Sequence, residues 1–155
     1  MSQGDDMRLR HYVLVTLFGL LALAGWLWLT MLSPYTYDRP AHLPEIETGE
    51  HAVFVYGTLR FAPVRWVVMG RAGETETAVL EGFRRERLDL VEAPDERVLG
   101  ELVVVDADEL ERLDRYERLG IRYQRVPMRL ADGRMAWVYR RLDEAARPAE
   151  VNASD

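Results

Sequence analysis

Apolar and polar positions follow different periods along this chain. From Tyr12 to Leu32 there is no alternation, because no charged residue interrupts the stretch. As a helix rising 1.5 Å per residue it is roughly 31 Å long, which matches a bilayer hydrocarbon core of about 30 Å. Trp26 and Trp28 lie toward its distal end, and Tyr12, Tyr35 and Tyr37 flank it, as aromatic residues do at membrane interfaces. A signal peptide has a shorter apolar core closed by small residues, whereas this stretch ends Trp26-Leu27-Trp28-Leu29-Thr30-Met31-Leu32. A buried core helix is also apolar all round, but this one is too long for so small a domain. Residues 12–32 are therefore read as an uncleaved transmembrane helix with the lipid bilayer as its partner. Arg8 and Arg10 precede it and Arg39 follows. The positive-inside rule then puts residues 1–11 in the cytoplasm and the domain outside, in the periplasm if the cell is bacterial.

Residues 33–50 contain Pro34, Pro40 and Pro44 with little periodicity and read as an extended linker. Residues 51–142 form the folded domain. Ala52–Tyr56, Thr77–Phe83, Arg87–Val91 and Val98–Val105 predict strands, and Val64–Met69 predicts a short helix or strand. Gly100 inside a strand marks a bulge or a close backbone approach. Asp106–Glu117 predicts a helix. Arg122–Leu130 and Met135–Leu142 predict a hairpin turned by Asp132-Gly133. From Asp143 the composition shifts to Ala, Glu, Pro and Asn, so 143–155 is expected to be a disordered tail; its Asn152-Ala153-Ser154 is a glycosylation sequon by pattern only. Many short strands with few helices make the domain α+β.

Composition removes most catalytic chemistries. The 155 residues include no cysteine and no lysine, which excludes disulfides, thiolate metal sites and a cysteine nucleophile. The net charge of -6 speaks against a nucleic-acid surface. The basic pairs Arg84-Arg85 and Arg140-Arg141 read as solvated. Serine occurs only at Ser2, Ser33 and Ser154, and histidine only at His11, His42 and His51. The domain thus lacks Ser-His and Cys-His pairs and the histidines of zinc or iron sites. Carboxylates, Tyr, Thr, Arg and backbone amides remain, suited to a reaction in which the substrate carries its own nucleophile.

One carboxylate stands out. Asp106 is a good N-cap, and Glu109 completes a capping-box-like start. Leu110 and Leu113 then define an apolar stripe, and Glu117 falls in its middle. Asp114 lies to one side and reads as structural. A carboxylate in an apolar stripe at a helix C-terminus is pushed toward a higher pKa, the range of a general base. The competing reading is an ion pair of Glu117 with Arg122 or Arg125. Behind the Val53-Phe54-Val55 strand, Tyr56-Gly57-Thr58-Leu59 reads as a tight turn. Gly57 lets a ligand approach the backbone, and successive amides offer an anion nest; an ordinary strand-ending turn is the alternative.

These residues resemble the γ-glutamylcyclotransferase-like (AIG2-like) family. The resemblance covers about residues 52–142. It runs through Val55-Tyr56-Gly57-Thr58-Leu59, Leu80-Glu81-Gly82-Phe83, Pro94, Val98-Leu99-Gly100-Glu101-Leu102, Leu113-Asp114-Arg115-Tyr116-Glu117, Tyr123-Gln124-Arg125 and Trp137-Val138-Tyr139. It implies a small mixed β-barrel with flanking helices and cyclisation of a γ-glutamyl group to 5-oxoproline with release of an amine or amino acid. It implies Glu117 as the general acid/base, Tyr56, Gly57, Thr58, Leu59 and Tyr123 as substrate-binding residues, and no cofactor or metal. The apolar N-terminal stretch lies outside it. The sequence departs from the family pattern twice beside the expected pocket. Arg118 stands where the family often has Gly, and Arg60-Phe61-Ala62-Pro63 stands where a Gly-bearing segment often follows. Two other functions compete: a tethered non-catalytic module that binds a ligand or partner, and glycoside hydrolysis by Glu117 with Asp114 or Glu101.

Overall fold

The computed structural model describes residues 3–31 and 37–142, in two compact units, Met1–Asp38 and Arg39–Asp155. Leu32, residues 33–36 of the expected linker and the expected tail with its sequon lie outside the described residues. In the first unit Gln3–Met31 forms one helix, α1. Within it, Arg8–Trp26 is long and apolar enough to cross a membrane or to serve as a signal sequence.

The second unit holds strands β1 (His51–Val55), β2 (Thr75–Glu86), β3 (Asp89–Val105), β4 (Tyr123–Arg129) and β5 (Met135–Arg141), with helices α2 (Ala62–Met69) and α3 (Ala107–Glu117). The strands form one sheet in the order β2-β3-β1-β5-β4. β1 pairs in parallel with β5, and every other pairing is antiparallel. The fold is thus α+β with a mixed sheet. Central β1 is flanked on both edges and packed on both faces, so Val53, Phe54 and Val55 are all buried; this is why that run is apolar without alternation. The core gathers Phe54, Tyr56, Leu80, Leu90, Leu102 and Val138. The sheet's edge strands meet where the Ala131 amide, just past β4, donates to the Val79 carbonyl of β2 at 2.9 Å. That bond curls the sheet toward a barrel.

Two strand expectations are corrected. Arg87 and Leu88 form the turn between β2 and β3, and Asp89–Val91 and Val98–Val105 are not separate strands but the two ends of one, β3. Glu81 faces Arg97 while Phe83 faces Glu92, so Ala93-Pro94-Asp95-Glu96 bulges out of the ladder. The bulge accommodates Pro94, which has no amide to donate. Gly100 makes the close approach its position suggests. A Cβ there would lie 2.5 Å from the Phe54 ring and 2.6 Å from the Val55 carbonyl.

The helices begin and end on local chemistry. α2 starts with proline in its first turn and stops at Gly70, whose φ of 89° is left-handed. α3 opens with a complete capping box: the Asp106 side chain accepts from the Glu109 amide, and the Glu109 side chain accepts from the Asp106 amide. It closes at Arg118, with φ 53°, while the Leu119 amide donates back to the Asp114 carbonyl at 2.9 Å. A glycine adopts that conformation without cost from a Cβ, which gives a physical reason for glycine at this position in the family pattern.

Candidate active site

The end of β1 delivers Tyr56 into the interior, where its hydroxyl donates to the Tyr139 carbonyl at 2.6 Å. The chain then turns through a short 3-10 segment, Thr58–Arg60, closed by the Arg60 amide on the Gly57 carbonyl at 3.2 Å. The opening amides of such a turn have no acceptor within it. Gly57 has negative φ (−105°), and a Cβ built on it would meet nothing within 4 Å. Open space, with no protein neighbour crowding it, borders the glycine. Leu59 is buried and anchors the turn from below.

Arg65 of α2 holds the turn in place. It is buried and donates to the carbonyls of Leu59 (2.9 Å), Arg60 (2.7 Å) and Ala72 (2.6 Å), and pairs with Glu101 at 3.2 Å. Sequence reasoning missed this residue. The available signal was its position as the only charge in Val64–Met69, since a guanidinium inside an apolar helix must find several acceptors.

From the other side α3 presents its last turn. The Tyr116 and Thr58 hydroxyls lie 3.3 Å apart, tying the turn to the helix. Asp114 is completely buried and is held by Tyr139 (2.6 Å), Arg125 (3.0 Å) and Arg39 (3.0 Å). Burial pushes its carboxyl upward, and those three donors oppose the shift. This is the structural role expected for it. Arg125 therefore belongs to Asp114, not to Glu117. Glu101 is likewise engaged, by Arg65 and more loosely by Arg60 at 3.9 Å.

Glu117 differs. It is half-buried, and among the described residues its carboxylate takes no ion pair or hydrogen bond. Burial alone pushes it up to about 7. Three phenols, Tyr56, Tyr123 and Tyr139, sit close enough to feel its charge. All are pushed upward, first by burial and then by neighbouring negative groups that include Glu117. They stay protonated and able to donate. Tyr123 is half-buried, its hydroxyl 3.5 Å from the Leu88 carbonyl. Glu117, Tyr56 and Tyr123 are thus brought together, with Gly57, Thr58 and Leu59 joined to them through the turn. Sequence reasoning missed Tyr139 and Tyr116 as site neighbours. Tyr139 shares one face of β5 with Trp137, and Val138 takes the other, by the two-residue period of a strand. That period alone does not say which face meets the site; the pairing of β5 with β1 and β4 decides it.

Residues 53–154 match the family model described as gamma-glutamyl cyclotransferase, AIG2-like. The solution structure of At3g28950.1 from Arabidopsis thaliana is 26% identical with a TM-score of 0.53, over 64% of this chain and 66% of that one. The chain thus spans just under two thirds of that protein's length. The solution structure of At5g39720.1, also from Arabidopsis thaliana, is 30% identical with a TM-score of 0.51, over 66% of this chain and 77% of that one. A gamma-glutamyl cyclotransferase structure is 14% identical with a TM-score of 0.47, over 61% and 68%, too distant to carry an argument. No curated protein matches. With the family model covering most of the domain that holds Glu117 and the Tyr56–Leu59 turn, the chain belongs to the gamma-glutamyl cyclotransferase, AIG2-like family.

Proposed function

We propose that this protein is a membrane-anchored cyclotransferase that converts a γ-glutamyl amine or γ-glutamyl amino acid to 5-oxoproline, with Glu117 as general acid/base. The observation that carries the reading is the state of Glu117: a half-buried carboxylate pushed up to about 7 and without an ion-pair partner among the described residues, beside the Tyr56–Leu59 turn. A base with that pKa is matched to proton transfer near neutrality.

The substrate supplies the nucleophile. Its neutral α-amine attacks its own γ-carbonyl carbon, forming the lactam C–N bond as the amide C–N bond to the leaving amine breaks. Glu117 takes the proton that the attacking nitrogen sheds and returns it to the leaving nitrogen. No water is consumed. In this reading the opening amides of the turn receive the developing oxyanion or the substrate carboxylate. Tyr123 donates a hydrogen bond, and the intramolecular attack supplies much of the rate. α1 is the anchor, and Arg8 and Arg10, which precede its uncharged stretch from Tyr12, favour an extracytoplasmic domain.

The test is 5-oxoproline release by the full chain from a panel of γ-glutamyl amines and amino acids, beside Glu117→Gln. Product from the wild type alone supports the reading. No product across the panel, with ligand binding retained by Glu117→Gln, transfers the site to a binding function. A C-terminal reporter active in the cytoplasm reverses the orientation. Glycoside hydrolysis is disfavoured because Asp114 and Glu101 are both committed to arginines.

A further inference from the structure

Phe61-Ala62-Pro63, a departure from the family pattern, forms with α2 a surface that the chemistry above does not use. Phe61 is 65% exposed, Trp66 63% and Val67 53%, and Ala62 and Pro63 are exposed beside them. The one charge in α2, Arg65, is turned inward onto backbone carbonyls. Arg60 stands at the edge with a partly exposed side chain. An aromatic and apolar face rimmed by arginine has the composition of an interfacial membrane contact.

We propose that Phe61, Trp66 and Val67 contact lipid and lay the domain on the bilayer that holds α1. The inference rests on the reading of α1 as an anchor. The covalent connection favours lipid over other occupants. α1 ends at Met31, and Arg39 is fastened within the domain by Asp114 at 3.0 Å and the Pro44 carbonyl at 2.6 Å. Residues 32–38 are the connection between them, reaching at most about 25 Å when fully extended. A domain of about 100 residues has a radius of gyration of about 13 Å, so the headgroups stay within reach of its surface. Tethering makes the bilayer a partner at high effective concentration, whereas a second copy or a soluble protein must be met by diffusion.

The chain has no cysteine, so single reporters can be placed without background. Full-length Trp66→Cys, Val67→Cys and Asp95→Cys, each carrying an environment-sensitive fluorophore, are reconstituted into phosphatidylcholine–phosphatidylglycerol vesicles with and without nitroxide-bearing lipids. Flotation is measured on the same samples. The expected result is that all three float, that the reporters at 66 and 67 shift to the blue and lose emission with nitroxide lipids, and that the one at 95 does not. Adding Phe61→Ser to the Val67 reporter weakens the quenching and leaves flotation unchanged. Flotation with identical, unquenched emission at all three positions overturns the lipid contact and leaves the anchor standing; cross-linking of this face between two copies in that case assigns it to self-association. Failure to float overturns both.

Discussion

Replacing Glu117 with glutamine separates its proposed catalytic role from its cost in stability. Burial moves the carboxyl from 4.5 to about 7, and each unit corresponds to about 1.36 kcal/mol between protonation states. The folded chain therefore disfavours the charged form by about 3 kcal/mol. Because the folded pKa is the higher one, the stability linked to this proton is fully present below about pH 4.5 and is lost as pH rises through about 7. Glutamine is neutral throughout. Glu117→Gln is expected to match the wild type at about pH 4 and to exceed it by about 3 kcal/mol at about pH 8.5. For an unfolding slope of about 1.5 kcal/mol per molar urea, the midpoint rises by about 2 M at the higher pH. Urea unfolding of residues 39–155 at the two pH values reads this directly. An equal gain at both, or a loss at the higher pH, would falsify the burial argument even if the variant is inactive.

Wild-type kcat/KM should rise with pH through an apparent pKa of about 7; a limb at the ordinary carboxylate value removes Glu117 as the base. Tyr123→Phe deletes one hydroxyl and should cost about 1.4 kcal/mol, roughly tenfold in kcat/KM, with an unchanged rate showing that the hydroxyl does not meet substrate. Asp114→Ala leaves the buried Arg125 and the Tyr139 hydroxyl unpaired and should destabilise by about 3–5 kcal/mol, measured by denaturant unfolding. Gly100→Ala forces a methyl against the Val55 carbonyl, which should cost about 1–3 kcal/mol; near-neutral unfolding would show that β1 and β3 can separate freely.

Local rules made much of the domain legible. The Asp106–Glu109 box, the Asp132-Gly133 turn and the placement of Glu117 follow from spacing within one element. The tight fit at Gly100 was legible as a position but not in its partner, because Phe54 arrives from another strand. The continuity of β3 was hidden because Pro94 reads as a break, whereas a bulge absorbs it. The partners of Asp114 come from Arg39, Arg125 and Tyr139, far apart in sequence, and no periodicity links them. Arg65 was hidden for the same reason: three of its acceptors are backbone carbonyls, which carry no sequence signature.

The parallel pairing of β1 with β5 sets an order of assembly. β1 is the first strand to leave the ribosome and β5 the last, yet Val53 and Phe54 rest beside Trp137 and Val138. Such distant pairing slows folding, since the loop between the strands must close before contacts reward it. During synthesis the most apolar strand waits unpaired on one edge until β5 has been made, a period of exposure to aggregation. Tyr56 finds its acceptor on Tyr139 only then, so the candidate site takes its form with β5, and a chain that stops before that strand lacks it.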